Sequence, residues 1–350
     1  MDRGEKLIRW YQNNHRALPW RETQDPYKIW LSEIILQQTR IEQGTDYYLK
    51  FVNTYPNVGR LAEASEDEVL KLWQGLGYYS RARNLHSTAK HIAHELDGKF
   101  PTTYEKIIKL KGIGPYTAAA ISSFAFNEPR AVVDGNVIRV LSRIYDEGTP
   151  ANTSSGKRVF QELADQTLCR DKPGIYNQAI MELGSQICKP SSPKCSECPW
   201  SYNCLALKKS NWKDRPVKLK SKPPKKRIID YVVLETKECL IFRKRTGNDI
   251  WKGLHDFDSI ENLEEPSAEY LKNEIIKKHP EISISRQSLA PEREYSHILS
   301  HQKIKARFWR WKTNGEINQN SIYLKVLKED IDTVAVPRLV HKYLEDIFSI

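Results

Sequence analysis

The chain has 350 residues, 39% of them hydrophobic, and a formal net charge of +11, enough for two domains with cores of their own. No apolar run reaches the roughly eighteen residues needed to cross a bilayer, which excludes a membrane-spanning helix. With only six cysteines and no apolar leader before Asp2, a reduced, cytoplasmic setting is expected rather than a disulfide scaffold.

Up to about Ser185 the pattern is helical and predicts an all-α region over residues 1–207. Lys28–Gln43 spreads Ile29, Trp30, Leu31, Ile34, Ile35, Leu36 and Ile41 over more than one face, which predicts a single, deeply buried helix. Glu33 lies inside it, and desolvation there is expected to raise its pKa and favour the protonated acid. Tyr104–Leu110 predicts a helix that stops at Lys111-Gly112-Ile113-Gly114, and Pro115 with Ala118, Ala119 and Ala120 begins another, a hairpin over about 104–125. Gly112 and Gly114 are expected to turn the backbone tightly and expose its amides. With Lys111 and the following helix N-terminus they would form a socket for a phosphate oxygen, gripping a nucleic-acid backbone without reading sequence. An ordinary interhelical turn is the alternative. Further on, Asp134 falls where a helix starts, and amide donors and the helix dipole are expected to hold it anionic. Two carboxyls pushed apart in pKa suit an acid working with an anionic stabiliser at an oxocarbenium-like carbon. The plainer readings are a helix cap for Asp134 and a salt-bridged surface position for Glu33.

Cys188, Cys195, Cys198 and Cys204 follow with the spacing C-x6-C-x2-C-x5-C. Thiolates so close in sequence suit a metal. Zinc ribbons usually pair two short C-x2-C steps, so one short step between longer gaps favours an iron-sulfur cluster, with zinc as the alternative. From Leu205 to Arg227 ten Lys or Arg stand against Asp214 alone, a local +9, interrupted by Pro216, Pro223 and Pro224. This predicts an extended, poorly packed linker over 208–227 whose place after the metal loop suits nucleic acid better than a solvated spacer. Beyond it, Ile228–Arg245 and Ile304–Lys312 read as strands and Ala268–Lys278 and Arg338–Phe348 as helices, so 228–350 is expected to be a separate α+β domain.

The glycine hairpin, Val133-Asp134-Gly135 and the four-cysteine loop together resemble the helix-hairpin-helix DNA glycosylase superfamily that carries an iron-sulfur cluster. Within it, Leu18-Pro19-Trp20-Arg21, the run Leu31 to Thr39 and Gly75-Leu76-Gly77-Tyr78-Tyr79 resemble adenine DNA glycosylases of the MutY type. The match runs from about Leu7 into the C-terminal domain, specific through Ser210 and looser beyond Arg227. It implies a multidomain fold: an all-α helix-hairpin-helix glycosylase domain with its iron-sulfur loop at 188–204, then a C-terminal α+β Nudix-like domain. It further implies one 4Fe-4S cluster on the four cysteines. The activity implied is excision of adenine mispaired with 8-oxoguanine or guanine, after the base is flipped out of double-stranded DNA. A monomer is expected, and the lack of a transit-peptide pattern leads to the expectation of a bacterial cytoplasmic, nucleoid-associated protein.

Carried over residue by residue, the resemblance implies that Glu33 protonates the adenine ring, that Asp134 stabilises the sugar cation by ion pairing or a transient bond, and that Asn136 and Tyr116 orient these carboxyls. Trp20, Arg21, Leu36 and Gln178 would line the adenine pocket, while Gln38, Thr39, Leu76 and Tyr78 would fill or wedge the duplex. Composition alone would make Leu36, Leu76 and Tyr78 core residues. Tyr116 stands where sister enzymes resembling endonuclease III carry a lysine that attacks the sugar, which implies a monofunctional enzyme. Trp251–Phe257 resembles the Nudix signature turn, with His255 and Asp256 in place of the more usual Trp-Glu pair. No G-x5-E-x7-R-E-x2-E-E box follows, so nucleotide hydrolysis is not expected. Tyr295-Ser296-His297 resembles the family's Phe-Ser-His loop that contacts the oxidised guanine. Two other readings are a glycosylase-lyase for oxidised pyrimidines, against which Tyr116 and Gln37-Gln38 speak, and a non-catalytic iron-sulfur DNA sensor, against which Glu33 with Asp134 speaks.

Overall fold

The computed structural model describes residues 3–220, 223–299, 301–314 and 322–349. Packing divides the chain into two compact units, Met1–Ala62 with Ser87–Ser221 and Glu63–His86 with Lys222–Ile350. Among the described residues no helix is long and apolar enough to cross a membrane.

The helical elements up to residue 208 are α1 (Arg3–Asn14), α2 (Pro26–Ile35), α3 (Ile41–Thr54), α4 (Val58–Glu63), α5 (Glu66–Leu72), α6 (Ser80–Glu95), α7 (Tyr104–Ile107), α8 (Pro115–Phe126), α9 (Gly135–Ile144), α10 (Ser154–Thr167), α11 (Pro173–Gln186) and α12 (Leu205–Lys208). Helix α2 starts where Asp25 accepts the Tyr27 amide at 2.9 Å and Pro26 supplies the first turn. The single helix predicted over Lys28–Gln43 is broken. The chain leaves α2 at Leu36, Gln38 adopts a left-handed φ of 59°, and α3 begins at Ile41. The many-faced apolar pattern reports burial of α2, whose Ile29, Trp30, Leu31 and Ile35 are all in the core, and not continuity beyond it.

The helix predicted over Tyr104–Leu110 is also shorter. After Ile107 the Lys109 and Leu110 amides bond back only three residues, a tightening that ends the helix. At the hairpin Gly112 takes a φ of 78°, whereas Gly114 is extended at −95° and serves as the N-cap of α8. The left-handed turn is therefore the work of Gly112 alone. Helix α8 ends at Asn127, itself left-handed. Helices α1, α9, α10 and α11 share one core of Leu7, Tyr11, Val137, Val140, Phe160, Tyr176 and Leu183, against which Cys188, Cys198 and Cys204 pack.

Two expectations about organisation are corrected. Much of the linker predicted over 208–227 is docked on the first unit. Asp146 collects Lys209 at 2.8 Å, Arg215 at 2.9 Å and the Asn211 amide at 2.9 Å, while the Ala151 amide donates to the Val217 carbonyl and Asn152 exchanges two hydrogen bonds with Leu219. One acid and paired backbone groups thus overcome the self-repulsion of the basic run. Ser221 and Lys222 lie outside the described residues, and from Lys225 the chain is already a strand. Secondly, Glu63–His86 groups with the second unit: Lys244 pairs with Asp67 at 2.7 Å, the Val336 amide donates to Gln74 at 3.2 Å, and Arg83 donates to the Lys252 carbonyl. These partners are too distant in sequence to be seen as periodicity. Locally, α5 is fixed by a capping box in which Ser65 and Glu68 satisfy each other's backbone amides.

The second unit is built on a mixed sheet of β1 (Lys225–Glu235), β2 (Cys239–Lys244), β3 (His255–Asp256), β4 (Asp258–Glu261), β5 (Ser283–Gln287), β6 (Arg293–Ile298), β7 (Gln302–Asn314) and β8 (Tyr323–Leu327), with α13 (Ala268–Lys278) and α14 (Arg338–Phe348). Its main path is β3-β2-β1-β7-β5, and β1 runs parallel to β7 with Ile229 opposite Ala306 and Leu234 opposite Trp311. Alternation along these strands assigns the faces. Val232, Leu234, Trp309 and Trp311 pack on Leu271 and Ile275 of α13, while Tyr231 and Phe308 stack with each other and Phe308 with Tyr343 of α14. Both predicted C-terminal helices occur with the expected ends.

Candidate active site

A cavity of about 420 Å³ opens in the first unit among α2, α8, the start of α9 and α11. It brings together Trp20, Arg21, Glu33, Leu36, Gln38, Thr39, Tyr116, Asp134, Asn136 and Gln178. The break after α2 is what puts Gln37, Gln38 and Thr39 in its wall. Glu33 is 7% exposed. Burial pushes its carboxyl up to about 7; a hydrogen bond with Tyr116 pulls the other way and nearby Asp134 adds to the rise. The same surroundings raise the Tyr116 hydroxyl, so it stays a neutral donor.

Asp134 caps α9, accepting the Val137 amide at 2.7 Å and the Asn136 side-chain amide at 2.7 Å. Sequence reasoning expects these donors to hold it anionic by lowering its pKa. Burial outweighs them, and the net direction is upward. Asn136 in turn accepts from Arg139 Nη2 at 2.8 Å, and Arg139 also donates to the Gly184 carbonyl at 2.6 Å and the Cys188 carbonyl at 2.6 Å. A hydrogen-bonded line thus runs from the cysteine loop to Asp134.

Sequence reasoning missed Arg139, and it missed Glu182, the fully buried acid beside the cavity. Glu182 accepts from Arg16 Nε at 2.8 Å and Nη2 at 2.7 Å, from Arg21 Nη2 at 2.7 Å and from Gln186 at 2.6 Å. Burial works to raise its pKa, but the two guanidinium groups hold it well below the usual carboxylate range. Arg21 therefore reaches the cavity already neutralised and fixed. A signal existed: Glu182 is a lone charge beside Ala179, Ile180 and Leu183 on the buried face of α11. Gln178 is held by the Tyr11 hydroxyl at 2.6 Å, and Trp20 packs edge-on against Tyr48.

Residues 31–165 match the family described as HhH-GPD superfamily base excision DNA repair protein, residues 188–204 the iron-sulfur binding domain of endonuclease III, and residues 231–346 the NUDIX domain. An adenine DNA glycosylase of Buchnera aphidicola subsp. Acyrthosiphon pisum is 32% identical over 346 residues, 98% of this chain and 97% of the relative. The chain belongs to the adenine DNA glycosylase family. Another adenine DNA glycosylase, of Buchnera aphidicola subsp. Schizaphis graminum, is 36% identical over 283 residues, 80% of this chain and 81% of its own length. Among solved structures, a thermostable thymine-DNA glycosylase superposes with a TM-score of 0.55 at 29% identity, covering 59% of this chain and 95% of that one.

Like the matched iron-sulfur domain, this adenine DNA glycosylase family member carries a 4Fe-4S cluster. The donor set fits it. Cys188, Cys195, Cys198 and Cys204 form no disulfide and line one recess with Val140, Ile144, Leu183 and Leu207. Burial pushes the Cys198 thiol up to about 12 and raises Cys195 and Cys204, so ionised sulfurs there need compensating positive charge. Bound iron provides it, helped by Arg143, whose Nη1 lies 3.3 Å from Cys188 Sγ. Four sulfurs around a shared recess suit a cluster with irons at its corners.

The remaining candidate residues of this glycosylase lie elsewhere. At the hairpin, Lys111, Gly112 and Gly114 are exposed, and a Cβ added at Gly114 would meet nothing within 4 Å. No internal contact requires that glycine. In the second unit Leu76 is buried, whereas Tyr78 is 47% exposed in a left-handed conformation between Gly77 and Tyr79, with Arg81 over its ring. Ser296 and His297, expected on a loop, are on β6, paired opposite Lys305 and Ile304 of β7. Tyr295 anchors them by burying its ring and donating to Asp346 at 2.6 Å, which leaves Ser296 exposed and His297 half-buried.

Proposed function

We propose that this chain removes adenine paired with 8-oxoguanine or guanine from double-stranded DNA by hydrolysing the N-glycosidic bond, leaving the strand intact. The observation that carries the reading is Glu33, a buried acid poised at about 7, hydrogen-bonded to Tyr116 and facing Asp134 across a cavity suited to one flipped base. Glu33 donates its proton to a ring nitrogen of the extruded adenine, making a neutral leaving group. As the bond breaks, Asp134 at the N-terminus of α9 stabilises the sugar cation, and water completes the hydrolysis by returning a proton to Glu33. Trp20, Leu36, Arg21 and Gln178 hold the base, while Gln38, Thr39 and the exposed Tyr78 fill or wedge the duplex around the mismatch, and the buried Leu76 supports the turn that carries Tyr78. The exposed Gly112 and Gly114 of the hairpin, with Lys111, grip the DNA backbone, whereas the Ile113 amide is already used by the Leu110 carbonyl. Residues 228–350 read the opposing 8-oxoguanine through Ser296 and His297. When bound on its four cysteines the cluster supplies a rigid cross-link that shapes the basic segment around it. The enzyme acts as a monomer in the bacterial cytoplasm, on the nucleoid.

Single-turnover base release with an adenine:8-oxoguanine duplex tests this. Adenine should appear, and a duplex carrying an oxidised pyrimidine should remain intact; the reverse pattern would overturn the proposal. No lysine lines the cavity among the described residues. Borohydride trapping is accordingly expected to give little covalent adduct, and efficient trapping that maps to one lysine would sink the monofunctional assignment. Arg139→Leu removes the link between Asn136 and the cysteine loop. It is expected to slow base release by roughly tenfold to a hundredfold with duplex affinity retained, since loosened positioning acts on the chemical step. A wild-type rate in that variant would deny Arg139 any positioning role.

A further inference from the structure

A second cavity, of about 720 Å³, lies in the first unit beside the catalytic one. Arg16, Leu18, Arg21, Phe124 and Gln178 line both, so a single layer of residues divides them. Helix α8 sets the direction. Tyr116 in its first turn lines the catalytic cavity, whereas Ser123–Asn127 at its far end line the second. At 1.5 Å per residue, about 12 Å of helix separates position 116 from position 124. The hairpin assigned to the DNA backbone precedes Pro115, so the second cavity lies at the end of α8 remote from that contact. Its rim is open to solvent, because Gln12, His15, Ala17, Glu22 and Gln24 are exposed.

This arrangement bears on where the excised base goes. A flipped nucleotide enters with its sugar and phosphates still part of the strand, so bound DNA itself closes the entrance. Once the bond is broken, free adenine sits behind abasic DNA. The second cavity offers the part-buried ring of Phe124, with Thr23, Gln24 and Asn127 as hydrogen-bonding groups able to take a neutral purine, while the Tyr11 ring is already stacked on His15 and covered by Arg21. Gln178 is held through one hydrogen bond from the Tyr11 hydroxyl and Phe124 is only part-buried, so these two side chains are the ones free to change rotamer, while Arg21 stays pinned to Glu182. We infer that the second cavity is the exit path and transient binding site of the excised adenine. This rests on the adenine excision proposed above.

The test uses the cluster-loaded enzyme and an adenine:8-oxoguanine duplex labelled in the adenine base. After a single turnover, rapid filtration at successive times separates free base from enzyme-bound DNA, and alkali-quenched samples report total cleavage. The wild-type enzyme is expected to lose labelled adenine at least about tenfold faster than it loses DNA. Ala17→Trp and Gln12→Trp put an indole into the second cavity at positions that do not line the catalytic one. Both are expected to cleave at the wild-type rate yet to release adenine at least about tenfold more slowly, in step with DNA. Coincident loss of base and DNA from the wild type, or wild-type release from both variants, overturns the exit path. Failure of the wild type to cleave would instead overturn adenine excision itself, so the two failures are told apart.

Discussion

Glu33→Gln is expected to abolish adenine release, to leave duplex binding largely intact, and to stabilise the protein above neutral pH. Glutamine keeps the shape and can still accept from Tyr116, but it has no proton to give. Loss of a general acid typically costs about a hundredfold to ten-thousandfold. In the wild type the acid form is the active one, so single-turnover rates should be level below about 7 and fall with rising pH above it. Stability follows the same group. Its folded pKa is raised from 4.5 to about 7, so the folded state binds this proton more tightly than the unfolded chain. The stabilisation is complete below the unfolded value and is lost as pH rises through about 7. At about 1.4 kcal/mol per unit, the ionised buried acid costs roughly 3 kcal/mol by pH 8 to 9. Thermal unfolding should therefore separate the variant from the wild type at pH 8.5, with Glu33→Gln melting higher, and bring them together near pH 4.5. A gap that ignores pH would remove the buried acid, and full activity would remove Glu33 as the proton donor.

How much of this is visible in the amino-acid sequence depends on the distance over which each signal acts. Pro115 opening α8, Asp134 capping α9 and the two ends of α13 and α14 are written in local chemistry, where caps, prolines and periodicity decide. From residue type and burial alone, Glu33 and Asp134 stand out as a pair. Trp20, Leu36, Gln38 and Gln178 enter only through family resemblance, and the cavity then gathers them. What stays hidden is long-range or conformational. A glutamine in a left-handed turn leaves no mark, so the break at Gln38 reads as continuous helix. Glu182 is satisfied by Arg16 and Arg21 from the far end of the sequence, and Asp146 pins a basic segment that composition marks as free. The pKa of Asp134 shows the same limit, since its donors are local but the burial that outweighs them is tertiary.

Gly184→Ala is expected to weaken both stability and catalysis, although it improves helix propensity. In an unconstrained helix interior this exchange stabilises by about 1 kcal/mol. Here the new Cβ would lie 2.6 Å from Asn136 Cβ, 3.0 Å from its carbonyl oxygen and 3.1 Å from its carbonyl carbon. Two of those atoms are backbone, so no rotamer change clears them, and α9 must move away from α11. The first turn of α9 carries Asp134 and Asn136, and Arg139 ties the same turn to the Gly184 carbonyl. Overpacking of this kind costs about 1–3 kcal/mol. A displacement near 1 Å at a catalytic group costs about a hundredfold in rate. Thermal unfolding and single-turnover base release measure the two effects separately, and Gly135→Ala is the control for stability, because a Cβ there meets nothing within 4 Å. If Gly184→Ala melts no lower than Gly135→Ala and excises adenine at the wild-type rate, then the close approach of α11 to α9 is not what positions Asp134.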